Sequence, residues 1–583
     1  GWQVEVAVPF QSLRFPQGGE QSWRATFWRN HPRESRRRYS WAAADRDEPC
    51  WPCQWGTLVG MAAISSGGAL EVLPSLTGVD EQELRDDRLQ SNESQMEMGV
   101  GVRYGLSSSL SAAGTFNPDF SQVESDAAQV GVNTTFALFY PEKRPFFQEG
   151  SDLYETWIDQ VYTRQVNDPR WAVKTTGRMG RSSLAVLAAQ DERTPYLMPF
   201  QEKTEVFSLE RSWSALVRGR STWGRDNALG LLGTSRLYEG GGSGSTLGVD
   251  GRLRLDRNHR FEAQVVGSWT VEPPRAGPTA DLESERFAGG DHSAVFDGES
   301  FGGYAHYLGL QRSARHWDWS AAWWATSPTF RADNGFVTQN DRHFGSLNSG
   351  YTFYSEKSRW LDEWRPSLNV ARIWSWEGLR KDEWIRPQIS ANLVGQTSAS
   401  VAWLSSNERF HGEDFRGIKR WEVDVDSKFS EMVQAGAWAS WGRSIARRID
   451  EPVLGRVVNL SAWCDLKLLG RLTVQPRWEY QQLRHPGTDE ILFADYVLRS
   501  PFNFQLDRRI FARLVVQYDG FEDRLSLEPL LSWRLNAFTA VYLGSSHRFQ
   551  DASPQAGGGE DLATRFREDQ RQFFFKIQYL FQS

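Results

Sequence analysis

Residues 259–270 read HRFEAQVVGSWT. Successive side chains of an extended chain point to opposite faces. Phe261, Ala263, Val265, Gly267 and Trp269 therefore share one face, and Arg260, Glu262, Gln264, Ser268 and Thr270 share the other. Strands of soluble sandwiches and propellers run to about 5–6 residues, whereas a strand that crosses a bilayer needs about 9–11. This run is of the second kind. An apolar face opposite a charged one, sustained over that length, reads as the wall of a membrane-spanning β-barrel.

Working outward, the same pattern returns. In 470–481, Leu472, Val474, Pro476, Trp478 and Tyr480 oppose Arg471, Thr473, Gln475, Arg477 and Glu479, and comparable runs occupy 508–518 and 526–535. Trp269, Trp323, Trp376, Trp403, Trp478, Tyr480 and Trp533 fall near strand ends, as aromatic girdles at the two bilayer interfaces require. Open edges cannot exist in lipid, so the sheet must close. The expected fold is all-β: one large closed antiparallel barrel over 70–583, with about 24 strands, an even number. Tight turns such as 225–227 and 535–537 would face the periplasm. Long links such as 270–301 and 549–568 would face outward, and the glycine run 240–244 reads as a flexible tip. The chain ends in Phe575, Ile577, Tyr579 and Phe581, alternating with Lys576 and Gln578. That resembles the closing strand by which outer-membrane assembly machinery recognises barrels.

Composition narrows the function classes. The 583 residues include 27 Trp and carry a net charge of −7, with a mean hydropathy of −0.54. No run of 18 apolar residues occurs, which excludes a transmembrane helix but not a barrel, whose alternating strands average out to polar. Scattered Lys and Arg form no basic stripe, so nucleic acid is not an expected partner. There is no GxSxG, HExxH, phosphate-binding loop or dinucleotide fingerprint. The nine histidines stand singly, and neither metal nor cofactor is expected. No signal peptide is visible, and the chain opens at Gly1 in mid-strand, as a fragment would.

One long stretch does not alternate. Residues 116–150 read FNPDFSQVESDAAQVGVNTTFALFYPEKRPFFQEG. This resembles the motif NPDFSQVEADxAQV…FFPEKRPFFLEG of the DUF5916 family, with Ser125, Tyr140 and Gln148 as departures. The resemblance implies a bacterial outer-membrane barrel preceded by a family-9-like carbohydrate-binding module. A second resemblance lies in 330–336, FRADNGF, where Asp333 and Asn334 form either a cation site or a bare Asx–Gly turn, the turn being preferred. About 35 residues without alternation are unusual unless functional or disordered, and this composition is too aromatic for disorder. The stretch is expected to enter the lumen and narrow it through Asp119, Glu124, Asp126, Glu142, Lys143, Arg144, Phe146 and Phe147. In that reading Lys143 and Arg144 pair with acids such as Glu124 or Glu142, and the two Phe dock on apolar wall positions.

Residues 1–69 resemble the last part of the carbohydrate-binding β-sandwich, with strands expected at 2–8, 23–29 and 55–61. Trp2, Trp23, Trp28 and Trp41 are its sugar-stacking candidates, weighed against packing in a core. Cys50 and Cys53 in CWPC allow a redox couple, half a zinc site or a local disulfide; in an oxidising periplasm the disulfide is preferred. Cys464 reads as a small packed or lipid-facing residue. Glu124, Asp126, Glu142 and Glu149 are the carboxylates a glycoside hydrolase would draw on. The expected function is an outer-membrane channel, uptake or surface protein with an oligosaccharide-binding module on the periplasmic side, in a Gram-negative bacterium. A carbohydrate-active enzyme is the alternative.

Overall fold

The computed structural model describes residues 3–8, 10, 15, 19–32, 36–45, 47–48, 50–62, 70–86, 88–118, 133–355, 358–536, 539–551 and 566–582. From Leu70 onward these residues build one closed antiparallel barrel. Its ladder has 27 segments. Arg342–Tyr351 continues as Phe353–Tyr354, Leu472–Val474 as Arg477–Arg484, and Phe566–Gln578 as Phe581–Gln582, which leaves 24 strands. The first strand, Leu70–Arg85, receives the last: Ile577 pairs with Leu76 and Phe581 with Val72. Closure leaves no edge in lipid.

The run expected over 470–481 is broken in two at Gln475-Pro476. Proline has no N–H to give the ladder. Elsewhere the faces follow the pleat. Val265 is 56% exposed and its neighbour Val266 is fully buried. On Asn227–Tyr238, Leu229, Leu231 and Leu237 are exposed while Leu232, Thr234 and Arg236 are buried. Exposed apolar side chains make the lipid face; the buried set faces inward. Trp213, Trp269 and Tyr304 lie toward one end of the wall, and Trp223, Trp317 and Trp364 toward the other. A strand of about 12 residues, rising ~3.3 Å per residue and tilted ~40°, spans about 30 Å, the depth of a hydrocarbon core.

The two ends of the barrel differ. Where the chain enters at Leu70 and leaves at Phe581, every connection is short, as at 180–181, 224–226, 255–258 and 313–316. The opposite end carries 117–168, 192–211, 272–299 and 327–341. The glycine run expected as a flexible tip is a tight turn, with Tyr238 N donating to Gly242 O at 3.1 Å and Gly241 and Gly242 lying against Pro273 and Pro274. The link expected over 549–568 falls mostly outside the described residues.

Ahead of the barrel, Glu20–Ala25 pairs with Gly56–Ala62, and Trp28–Pro32 with Arg36–Ser40. The strand expected at 2–8 does not form: described residues 3–8 join no ladder, and Val4, Val6 and Val8 are exposed. Alternation alone does not make a strand when no partner presents its backbone. Asp45, Asp47 and Glu48 dock on the short-turn rim. Glu48 pairs with Arg254 at 2.7 Å, Asp45 with Arg257, and Asp47 Oδ1 accepts from Arg315 N at 2.7 Å.

Candidate functional site in the barrel lumen

The described part of the long non-alternating connection, residues 133–168, packs on the inward face of the wall. Its shape begins with two prolines. Pro145 opens a one-turn helix, Pro145–Gln148, at the position where a missing N–H costs nothing. Gly150 follows with φ 77°, a left-handed conformation that glycine takes without strain. Between Pro141 and Pro145 the chain folds on itself. Arg144 Nε and Nη2 donate to Glu142 Oε1 and Oε2 at 2.8 and 2.7 Å. The backbone N–H groups of Lys143 and Arg144 and the Thr163 hydroxyl also donate to that carboxylate. Arg144 further caps Val166 O and Thr163 O at 2.6 and 2.8 Å, and its guanidinium lies 4.3 Å from the Phe147 ring centre. Burial alone would raise the Glu142 carboxyl, but Arg144 and Thr163 outweigh it and hold the group below its ordinary range.

Phe147 is buried against Ala172, Ala185, Leu187, Leu216 and Leu232 of the wall, with Phe146 packed beside it. Glu149 pairs with Arg103 at 3.0 Å and Lys174 at 3.7 Å. Lys174 Nζ also donates to Phe146 O and Glu149 O. Both described carboxylates of the hydrolase alternative are thus engaged in ion pairs. Glu142, held ionised, is the reverse of a general acid. Asp119, Glu124 and Asp126 lie outside the described residues.

Of the wall anchors, Arg218 and Arg236 were not singled out in the sequence, and Gln264 was read only as a polar-face residue. Arg218 forms a fork with Asp250 and donates from Nε to Leu153 O at 3.0 Å. Arg236 donates to Gln165 O at 2.9 Å, and Gln264 Oε1 accepts from Ile158 N at 2.8 Å. These residues sit on the polar face of their strands, a position that a water-filled lumen also explains, so alternation could not separate an anchor from a wet wall.

The 330–336 motif meets the same segment. Tyr162 N donates to Asn334 O at 2.7 Å, Phe336 N to Asp159 O at 3.0 Å, and the Phe336 ring contacts Phe139 and Tyr162. Gly335 is required here, because a Cβ would stand 2.1 Å from Asp159 O. Asp333 is buried, accepts from the Tyr238 hydroxyl at 2.7 Å, and is held above its ordinary range by burial, against that hydrogen bond and Arg331. The bases of two links therefore interlock inside the barrel.

At its other end the segment crosses to distant strands. Asn133 Nδ2 donates to Ile445 O and Asn133 Oδ1 accepts from Arg447 N, both at 2.8 Å, while Thr135 Oγ1 donates to Glu202 O. Openings flank it among the described residues. One of about 630 Å³ is lined by residues including Phe136, Tyr140, Arg144 and Tyr162. Another of about 400 Å³ lies toward Arg342, Lys381, Asp382, Glu408 and Arg447, charges of both signs.

The remaining candidates are in the N-terminal region. Trp23 packs on Phe10 and Phe15 as a core residue would. Trp28 and Trp41 are exposed, Trp28 beside Trp51 and Trp41 beside Phe27. Trp2 lies outside the described residues. Cys50 and Cys53 are joined as a disulfide, and Cys464 is free and half-buried.

Comparison with known proteins adds the following. A search of curated proteins finds no match. Among solved structures, a variant of the ferric enterobactin receptor of Pseudomonas aeruginosa is 10% identical over 91% of this chain and 82% of its own, with a TM-score of 0.42. The siderophore receptor PirA of Acinetobacter baumannii is 9% identical over 91% and 83%, at 0.42. The FrpB iron transporter of Neisseria meningitidis is 8% identical over 70% and 80%, at 0.43. Likeness at that level says nothing of what this chain carries. Residues 70–176 match the family described as "Domain of unknown function (DUF5916)". That span runs from the first barrel strand through the inward segment to Lys174 and Thr176, its wall contacts. Within the closed barrel, residues 70–176 are thus similar to the DUF5916 family.

Proposed function

We propose that the protein is an outer-membrane channel for uptake of polar solutes, in which the connection containing residues 116–150 constricts the lumen. The observation that carries this reading is the set of inward anchors, Arg218, Arg236 and Gln264, that hold residues 153–165 against the wall. A segment tied by that many polar bonds on the lumen side occupies cross-section that an empty barrel of this size would leave open. Charges of both signs beside it favour small hydrophilic solutes over ions of one sign. The short-turn rim, with the N-terminal region docked on it, faces the periplasm by the ordinary rule for such barrels. There Trp28 and Trp41 stack on oligosaccharide, and the final strand serves recognition by the assembly machinery.

Proteoliposome swelling tests the channel. The wild-type chain should admit a small sugar slowly, and a chain with 119–165 replaced by a short Gly/Ser linker should admit it at least several-fold faster. Equal rates would remove the constriction. For the glycan site, Trp28→Ala/Trp41→Ala should abolish oligosaccharide binding by the full chain without changing swelling.

A further inference from the structure

The link 272–299 gathers three carboxylates where it leaves and rejoins the wall. Glu272 follows the strand His259–Val271 and Glu299 precedes Ser300–Arg312. Their backbones are joined, Glu272 N donating to Glu299 O at 2.8 Å. One carboxylate oxygen from each of Glu272, Asp297 and Glu299 lies within 4.8 Å of the others. Glu272 is completely buried. Its Oε1 takes Arg331 Nη1 at 2.7 Å, and its Oε2 has no partner. Asp297 commits Oδ1 to Glu299 N at 3.0 Å, and Glu299 commits Oε2 to Ser293 N and the His292 ring, both at 3.3 Å. Each carboxylate keeps one oxygen outside those bonds.

We infer that Glu272, Asp297 and Glu299 form a calcium site that staples the base of this link to the barrel rim. A buried carboxylate oxygen without a donor is costly, and one guanidinium does not balance three carboxylates. A hard divalent cation supplies what is missing. An all-oxygen set of carboxylates on an irregular link suits calcium, which accepts flexible geometry, better than magnesium, which demands near-ideal octahedral geometry.

The test uses the full chain in detergent, stripped with EGTA and titrated calorimetrically with CaCl₂, with MgCl₂ in parallel. One calcium per chain is expected, with a dissociation constant on the order of 10⁻⁵–10⁻³ M and weaker magnesium binding. Asp297→Asn/Glu299→Gln should weaken calcium at least tenfold and abolish calcium-dependent protection of 272–299 from protease. Asp297 is exposed, so Asp297→Asn alone gives a variant that folds as the wild type does. Absence of binding to the wild type, or equal titrations for wild type and both variants, would overturn the assignment.

Discussion

At the residue scale, Arg144 holds the inward segment together. It neutralises a largely buried carboxylate and satisfies two carbonyls at once. Removing one partner of such a pair leaves an uncompensated charge, at a cost of about 3–5 kcal/mol. Arg144→Ala should therefore expose residues 133–168 to protease in a barrel that still closes. Acidity acts on the same residues in two opposed ways. Glu142 is held below its ordinary 4.5 when folded, so its contribution is complete above that value and is lost as pH falls through the lowered one. Asp159 is pushed up to about 6 by burial, with Glu155 adding repulsion. Its folded state holds the proton longer, so stability falls as pH rises from about 4 to about 6 and is flat beyond. A fluorophore on Gln148→Cys, in a Cys464→Ser background, would report urea release of the segment. Asp159→Asn should flatten the upper limb and Glu142→Gln the lower.

At the scale of elements, the strands obey the pleat closely enough that one substitution separates the two faces. Val249 is exposed at the middle of Ser243–Arg254, between inward Gly248 and buried Asp250. Val249→Arg should destabilise folding into lipid vesicles by about 2–4 kcal/mol, the depth-dependent cost of a cation in the hydrocarbon. In detergent micelles the penalty should shrink. This part of the molecule was legible in sequence, because period two over more than nine residues has few other solutions. What sequence did not reveal follows from the same physics. Pro476 breaks a run whose side chains alternate faultlessly, since alternation records side chains and not N–H donors. Residues 3–8 alternate too, and form nothing. The pairing of Arg144 with Glu142 was within reach because both lie in one short proline-bounded stretch. Arg218 with Asp250 was not, because their partnership depends on barrel register.

For the whole molecule, the inward segment gives the barrel two unlike halves. Deeply buried inward positions concentrate on the strands from Pro169–Met179 to Trp317–Thr326, beneath residues 133–168 and the 327–341 link. From Leu361–Trp374 to Arg524–Arg534 most inward positions are only half-buried. The proposed passage runs along that second half. Closure and strand number could be read from pattern and length. The asymmetry could not, because it arises from where one connection lies down. Single-channel recording in planar bilayers measures that directly. Replacing 119–165 by a flexible linker, in a barrel shown to be folded by its heat-dependent electrophoretic mobility, should raise unit conductance several-fold over the wild type. An unchanged conductance from that folded barrel would contradict the account.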